Sequence, residues 1–217
     1  MLTEAHAGMV DRLKRSGVVQ SPSLMAALRT VPRHHFVDDV GLETAYADIA
    51  ISVKTNAGGE SISSISQPTI VASMLELCEV QPGQTVLEIG TGTGYNAALL
   101  ACLVGPKGRV VSVELEADLA TAAKLRLRQH KFTQVKVVVG DGAKGHAPNA
   151  PYDRIVVTTG APKVHSAWVE QLRPEGRLIT PVVNSDGIGT VECLVKHGET
   201  MTPLASVACG FLVMRSR

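Results

Sequence analysis

The stretch Val86-Leu87-Glu88-Ile89-Gly90-Thr91-Gly92-Thr93-Gly94-Tyr95 decides the fold. It begins as a short apolar run, passes through glycines at every second position, and continues into Asn96-Ala97-Ala98-Leu99-Leu100, which has helical composition. A strand that turns into a helix through glycines lets backbone approach a ligand closely at a helix N-terminus. In an open sheet that place is the crevice where the strand order reverses. The stretch therefore predicts an α/β fold with a ligand held at this turn.

The chain after Pro82 and Gly83 repeats the alternation. Strand-like runs are Thr85 to Ile89, Arg109 to Val113, Val135 to Val139, Arg154 to Thr158 and Arg177 to Val183, and helical segments are Tyr95 to Val104, Ala117 to His130 and Lys163 to Leu172. Such alternation predicts a parallel sheet covered by helices on both faces. Gly189 to Lys196 and Leu204 to Met214 are two further runs with no helix between them, which predicts a C-terminal antiparallel hairpin and seven strands in all.

Before Pro82 the texture differs. Thr3 is placed to cap a helix through Ala7, Val10 and Leu13 that stops near Gly17, and Ser23 to cap a second through Leu24, Leu28 and Val31 that ends at Pro32. Asp38 to Ser66, with Asn56, Gly58, Gly59 and the serines from Ser61 onward, has loop chemistry, and Pro68 then opens another helix. The expected architecture is a Rossmann-like, doubly wound, mostly parallel sheet with a small N-terminal helical cap. Residues 1–217 make a single domain, with cap and substrate loop in 1–66 and a cofactor-binding core in 67–217.

Composition narrows the partners. Hydrophobic residues are 45% and charged residues 19%, well inside the globular range. Seven aromatic residues (three Phe, three Tyr, one Trp) and 21 basic against 20 acidic residues give neither the stacking platform nor the cationic excess that nucleic acid favours, so no nucleic-acid partner is expected. The longest apolar stretch, Ala97 to Val104, is far short of the roughly 20 residues of a membrane span, so no membrane association is expected. The N-terminus has no basic region leading into an apolar one, which makes the cytoplasm the expected location. Cys78, Cys102, Cys193 and Cys209 lack CxxC spacing and read as buried thiols; no metal site is expected.

The ligand can be approached by elimination. GxxxxGK[ST] is absent, and Tyr95 stands where a dinucleotide fingerprint wants a small residue. Glu88 adds negative charge near the turn, which would repel phosphate and suit a cation. Glu114, at the end of the next strand run, is placed to accept ribose hydroxyls, and Asp141, between Gly140 and Gly142, to meet an adenine amine. Three carboxylates at successive strand ends fit S-adenosyl-L-methionine. A nonenzymatic cofactor-binding module, a small-molecule methyltransferase and an NAD-dependent oxidoreductase are the competing readings; the three acids and Tyr95 oppose the last.

These residues resemble the class I S-adenosylmethionine methyltransferases. Pro32-Arg33-His34-His35-Phe36-Val37, Ala45-Tyr46-Ala47-Asp48, Ile65-Ser66-Gln67-Pro68, Ala150-Pro151-Tyr152-Asp153 and Phe211-Leu212-Val213-Met214 narrow the resemblance to the protein-L-isoaspartate O-methyltransferases over nearly the whole chain. The resemblance implies an enzyme that methylates the carboxylate of isoaspartyl residues for repair through a succinimide, acting on peptide or protein substrates that bear an Asp-derived carboxylate; nothing in the sequence demands more than a monomer. It implies cofactor contacts at Ser64, Ile65, Glu88, Gly90, Gly92, Glu114, Leu115, Asp141 and Gly142, with Thr91 of the same turn, and an active-site role for Ser66.

The substrate carboxylate is already ionised at neutral pH, so the expected task of Ser66 is to orient it rather than to act as a base. His34 and His35 read as surface histidines, Lys54 as solvated, and Trp168 as packing. The segment Ile49 to Ser64 is longer than the family pattern. Together with Gly94 to Leu100 it resembles a branch that methylates aspartate in ribosomally made modified peptides, and peptide tailoring through aspartimide formation is the alternative to repair.

Overall fold

The computed structural model describes residues 3–216. The cap begins with helix α1 (Glu4–Arg15), whose N-terminus is closed by Thr3: its side chain accepts from the His6 amide. Glu4 in the first turn and Arg12, Lys14 and Arg15 in the last complement the helix dipole, and Met9, Val10 and Leu13 face inward. Helix α2 (Pro22–Thr30) is capped by Ser21, not Ser23 as expected. Pro22 fits the first helical position because it has no N–H to leave unpaired, and the Ser21 amide and hydroxyl are themselves held by Glu76 at 2.8 and 3.1 Å.

The region from Asp38 to Ser66 corrects the expected loop. It contains a short helix α3 (Leu42–Tyr46) and a separate two-stranded antiparallel sheet, β1 (Ile51–Thr55) with β2 (Ser61–Ile65). Ile51 lies opposite Ile65 and Ser52 opposite Ser64. The turn is built by Asn56, whose Oδ1 accepts from the Gly58 and Glu60 amides at 2.9 and 3.0 Å, while Gly59 takes a left-handed φ of +82°. Helix α4 (Pro68–Cys78) follows, starting at the proline as expected.

The core runs β3 (Thr85–Ile89), α5 (Tyr95–Val104), β4 (Arg109–Glu114), α6 (Ala117–Gln129), β5 (Val135–Val139), β6 (Tyr152–Val157), α7 (Ser166–Gln171), β7 (Leu172–Val183), β8 (Ile188–His197) and β9 (Thr200–Gly210). The sheet order is β5-β4-β3-β6-β7-β8-β9. The pairs β3–β4, β4–β5, β3–β6 and β6–β7 are parallel, and β7–β8 and β8–β9 are antiparallel. The seven-stranded, mostly parallel sheet and its terminal hairpin agree with the expectation. Several boundaries move: β6 runs Tyr152–Val157, α7 spans only Ser166–Gln171, β7 begins at Leu172, and β9 runs Thr200–Gly210, so that Phe211 to Met214 lie beyond it.

The pleat sorts the core. Val86, Val110 and Val156 face the cluster that contains α1, α2, α4 and α5, whereas Leu87, Ile89, Val111, Val113, Ile155 and Val157 face the cluster built around Trp168. Helix α5 is apolar on nearly every face, and Ala97, Ala98, Leu99, Leu100 and Val104 are completely buried between cap and sheet. Since β4 and β6 flank β3 on opposite sides, the strand order reverses at β3, and the crevice opens above its C-terminal end.

Candidate active site

A cavity of about 670 Å3 opens at that end. Its size is typical of small-molecule sites, roughly 300–1,000 Å3. Six parts of the chain make its wall: the glycine turn, the segment after β4, Gly142 in the turn after β5, the hairpin with the start of α4, the residues after β6, and residues 208–215 within and after β9.

The glycine turn follows from the register of its neighbours. The Gly90 amide donates to Val113 O at 2.9 Å, and the Thr158 amide donates to Ile89 O at 2.8 Å, so strands β4 and β6 pin the turn from both sides. Gly90 has φ +97°, and a Cβ there would lie 2.5 Å from Thr158 Oγ1. Only glycine suits both the dihedral and the space. Gly92 donates its amide to Glu114 Oε2 at 2.7 Å, and the other Glu114 oxygen accepts from the Glu116 amide at 3.1 Å. Both oxygens thus retain accepting capacity toward the cavity, which Glu114 lines.

Of the residues expected to serve the site, Ser64, Ile65, Ser66, Gly90, Thr91, Gly92, Glu114, Leu115 and Gly142 stand on the cavity wall. Glu88 and Asp141 do not. The expectation that Glu88 turns a charge toward the ligand is corrected by its surroundings. It is completely buried behind the turn, where it accepts from Ser112 Oγ and, at 2.8 Å, from Asn96 Nδ2. Burial pushes its carboxyl up to about 7, against the pull of those two hydrogen bonds. Thr91 Oγ1 lies 2.6 Å from Ser112 Oγ, so the buried network reaches the cavity wall at Thr91 and Asn96. Asp141 caps the single turn Gly142–Lys144 by accepting from the Ala143 amide at 3.0 Å, beside Lys144 at 3.9 Å.

The hairpin lies against the glycine turn: a Cβ on Gly92 would sit 3.7 Å from Ser63 Oγ and 3.8 Å from Ser64 O. Lys54 of β1, expected to be solvated, instead reaches Glu116 at 2.9 Å and Asp118 at 2.8 Å, and Arg215 pairs with Glu116 at 3.0 Å. These contacts join hairpin, β4–α6 turn and chain end around the mouth. His34 bonds the Tyr46 hydroxyl at 2.6 Å and His35 stacks on His130, and neither lines the cavity. Trp168 is buried as expected, yet its Nε1 also donates to Gly142 O at 2.8 Å and so supports the turn after β5.

Several wall residues escaped the reading of the sequence. Thr158 and Thr159 follow β6, and their strand-end position, like that of Glu114 and Asp141, is the signal that marks them. Asn96 carries no motif of its own. Residues 208–215 reach the cavity because the chain after β9 turns back beside the segment after β6, where the Gly160 amide donates to Leu212 O at 2.8 Å and the Met214 amide to Gly160 O at 2.6 Å, a pairing no local pattern encodes.

Comparison with known proteins bears on this arrangement. The family model for protein-L-isoaspartate(D-aspartate) O-methyltransferase matches residues 4–214. The protein-L-isoaspartate O-methyltransferase of Methanopyrus kandleri is 44% identical over 179 residues, 82% of this chain and 76% of that protein. That of Ignicoccus hospitalis is 36% identical over 198 residues, 91% of each. A solved protein-L-isoaspartate O-methyltransferase superposes with a TM-score of 0.89 at 32% identity, covering 97% of this chain and 66% of that one. A Plasmodium falciparum structure described as an enzyme of this kind, in complex with S-adenosyl-L-homocysteine, gives 0.81 at 19% identity over 98% and 99% of the two chains, a likeness of fold. Matched by the family model along nearly its whole length and by relatives over most of theirs, the chain belongs to the protein-L-isoaspartate(D-aspartate) O-methyltransferase family.

Proposed function

We propose that the chain transfers the methyl group of S-adenosyl-L-methionine to the carboxylate of isoaspartyl residues in proteins or peptides. The observation that carries this reading is that one cavity joins the glycine turn and Glu114 to Ser66. A donor site and a hydroxyl able to orient an acceptor therefore share a single space.

The wall fits the donor. Glu114 would offer both carboxylate oxygens to ribose hydroxyls, the backbone of Gly90 and Gly92 allows close approach, and Gly142, set by Asp141 and Trp168, would help hold the adenine. When bound, S-adenosyl-L-methionine supplies an electrophilic methyl carbon carried on a sulfonium. The chain's own residues align the acceptor. Ser66 donates to one oxygen of the substrate carboxylate and leaves the other to form the new O–C bond; since the nucleophile is already an anion, no proton has to leave. The resulting ester invites attack by the next backbone amide nitrogen, which closes a succinimide whose hydrolysis can return a normal aspartyl linkage.

We read the active form as a monomer, since the glycine turn and Ser66 already share a cavity within one chain. Four free thiols suit a reducing compartment such as the cytoplasm. Among the described residues no helix is long and apolar enough to cross a membrane.

Two measurements test the proposal. Calorimetry should show binding of S-adenosyl-L-homocysteine and none of NAD; preference for NAD would overturn it. Ser66→Ala should lower kcat on an isoaspartyl peptide by about 10- to 100-fold, the range of one hydrogen bond to a charged group, with cofactor affinity retained. Full activity of that variant would remove Ser66 from its role.

A further inference from the structure

Ser66 sits in a link of only two residues, Ser66 and Gln67, between β2 and α4. A hydroxyl that aims a carboxylate must be held within roughly 0.5 Å of its productive position, so something must fix this link from both sides. On the hairpin side the fixture is Arg33. Completely buried, it donates from Nε to Ala45 O at 2.8 Å and from Nη2 to Ile49 O at 3.3 Å and Ile65 O at 3.4 Å, and its guanidinium stands 5.4 Å over the Tyr95 ring. The carbonyl just before Ser66 is thereby held, together with the start of the hairpin.

On the helix side the fixture is Asp48. Its Oδ2 accepts from Gln67 Nε2 at 2.9 Å and from Thr69 Oγ1 at 2.7 Å, and its Oδ1 accepts from the Thr69 amide at 2.9 Å. These bonds supply what α4 lacks locally. The residue preceding the helix, Gln67, makes no side-chain capping bond, and Pro68 has no N–H. The first amide in need of an acceptor is that of Thr69, and a carboxylate 21 residues earlier in the chain provides it. A negative charge there is also favoured by the helix dipole. Although Asp48 stays exposed, partial desolvation opposes its ionisation, and the bonds from Gln67 and Thr69 outweigh it and hold the carboxyl below its usual range. Ser66 and Gln67 line the cavity, whereas Asp48 does not.

We propose that Asp48 is a positioning residue: capping α4 from the α3–β1 connection and gripping Gln67, it fixes the backbone on which Ser66 presents its hydroxyl to the substrate. This inference rests on the role given to Ser66 above. It separates from a purely structural cap because a cap alone would lower thermal stability and leave turnover well below the melting temperature untouched.

The test is a set of variants in the full chain: Asp48→Ala, Asp48→Asn, Ser66→Ala and the Asp48→Ala, Ser66→Ala double. Asp48→Ala should lower kcat on an isoaspartyl peptide about 10-fold at a temperature where it remains folded, with S-adenosyl-L-homocysteine affinity within about twofold of wild type. Asp48→Asn, which keeps an acceptor for the Thr69 amide, should recover part of the loss. In the Ser66→Ala background the Asp48 change should add less than about a factor of two, because the residue acts through Ser66. Unchanged kcat in Asp48→Ala, or full multiplication of the two single effects, would overturn the proposal. Hydrogen exchange reads the same link without turnover and so separates failure of this proposal from failure of the methyl-transfer reading. Asp48→Ala should raise the exchange rate of the Thr69 amide, which donates to Asp48, by about 10-fold or more over the α5 amides, and equal protection in the two proteins would overturn it even if no isoaspartyl substrate were turned over.

Discussion

The two sides of the cavity are held by different physics. At the glycine turn, Thr91, Ser112, Glu88 and Asn96 form a hydrogen-bonded chain with Ser112 and Glu88 at full burial, and Glu114 clamps the Gly92 amide. At the hairpin, the ties to the core across the mouth are ion pairs from Lys54 to Glu116 and Asp118, with the Asp118 side chain 66% exposed. Exposed pairs contribute about 0–1 kcal/mol and weaken with salt, whereas a buried network is costly to break at any ionic strength. The donor side is therefore preorganised throughout, whereas on the acceptor side Ser66 is fixed by Arg33 and Asp48 and only the hairpin around Lys54 is adjustable.

The largest effect expected from this contrast lies at Gly90. Gly90→Ala meets both a left-handed φ of +97° and the Thr158 hydroxyl 2.5 Å from the new Cβ. Strain of about 1–3 kcal/mol from the dihedral, added to the clash, should reduce S-adenosyl-L-homocysteine affinity by about 100-fold. Affinity within threefold of wild type, measured by calorimetry, would show that the turn is not the rigid element described.

A smaller effect, with a pH signature, belongs to Glu88. Its folded carboxyl titrates near 7 against an ordinary value of 4.5, because burial favours the neutral form. The stability of the wild type relative to Glu88→Gln should thus be greatest below about 4.5, fall as pH rises through about 7, and level off above it. The change should be on the order of 3 kcal/mol and visible as several degrees in the difference of melting temperatures. Groups common to both proteins cancel in that difference, and a constant difference across the range would contradict the assignment.

The smallest effect is at the hairpin. Lys54→Ala should weaken S-adenosyl-L-homocysteine binding by about twofold to fivefold at low ionic strength, and the deficit should vanish near 0.5 M salt. A deficit independent of salt would mean that Lys54 acts by some route other than its two carboxylates.

The same contrast governs what could be read from the chain alone. The turn after β3 was legible because its signals are local: a strand run, glycines at every second position, and a helix behind them. Ser66 was legible only through the resemblance carried by Ile65-Ser66-Gln67-Pro68. The hairpin was read as loop because β2 is Ser-Ile-Ser-Ser-Ile, in which serines blunt the alternation; what makes it a strand is its pairing with β1, Ile51 opposite Ile65. The true setting of Glu88 was likewise hidden. Its position in the strand is plain, but its partners Ser112 and Asn96 arrive from β4 and α5, and only their convergence turns an expected ligand-facing carboxylate into a buried one pushed up to about 7. Lys54 and Asp48 share this property, since each finds its partners through tertiary contacts with other elements.

The most direct test of the account is mass spectrometry of twin peptides of one sequence, one isoaspartyl and one aspartyl at the same position, each incubated with the full chain and S-adenosyl-L-methionine. The account predicts the gain of a single methyl group on the isoaspartyl peptide, followed by loss of methanol to the succinimide, with the aspartyl twin unmodified. Methylation of the aspartyl twin alone, or of neither peptide, would contradict it.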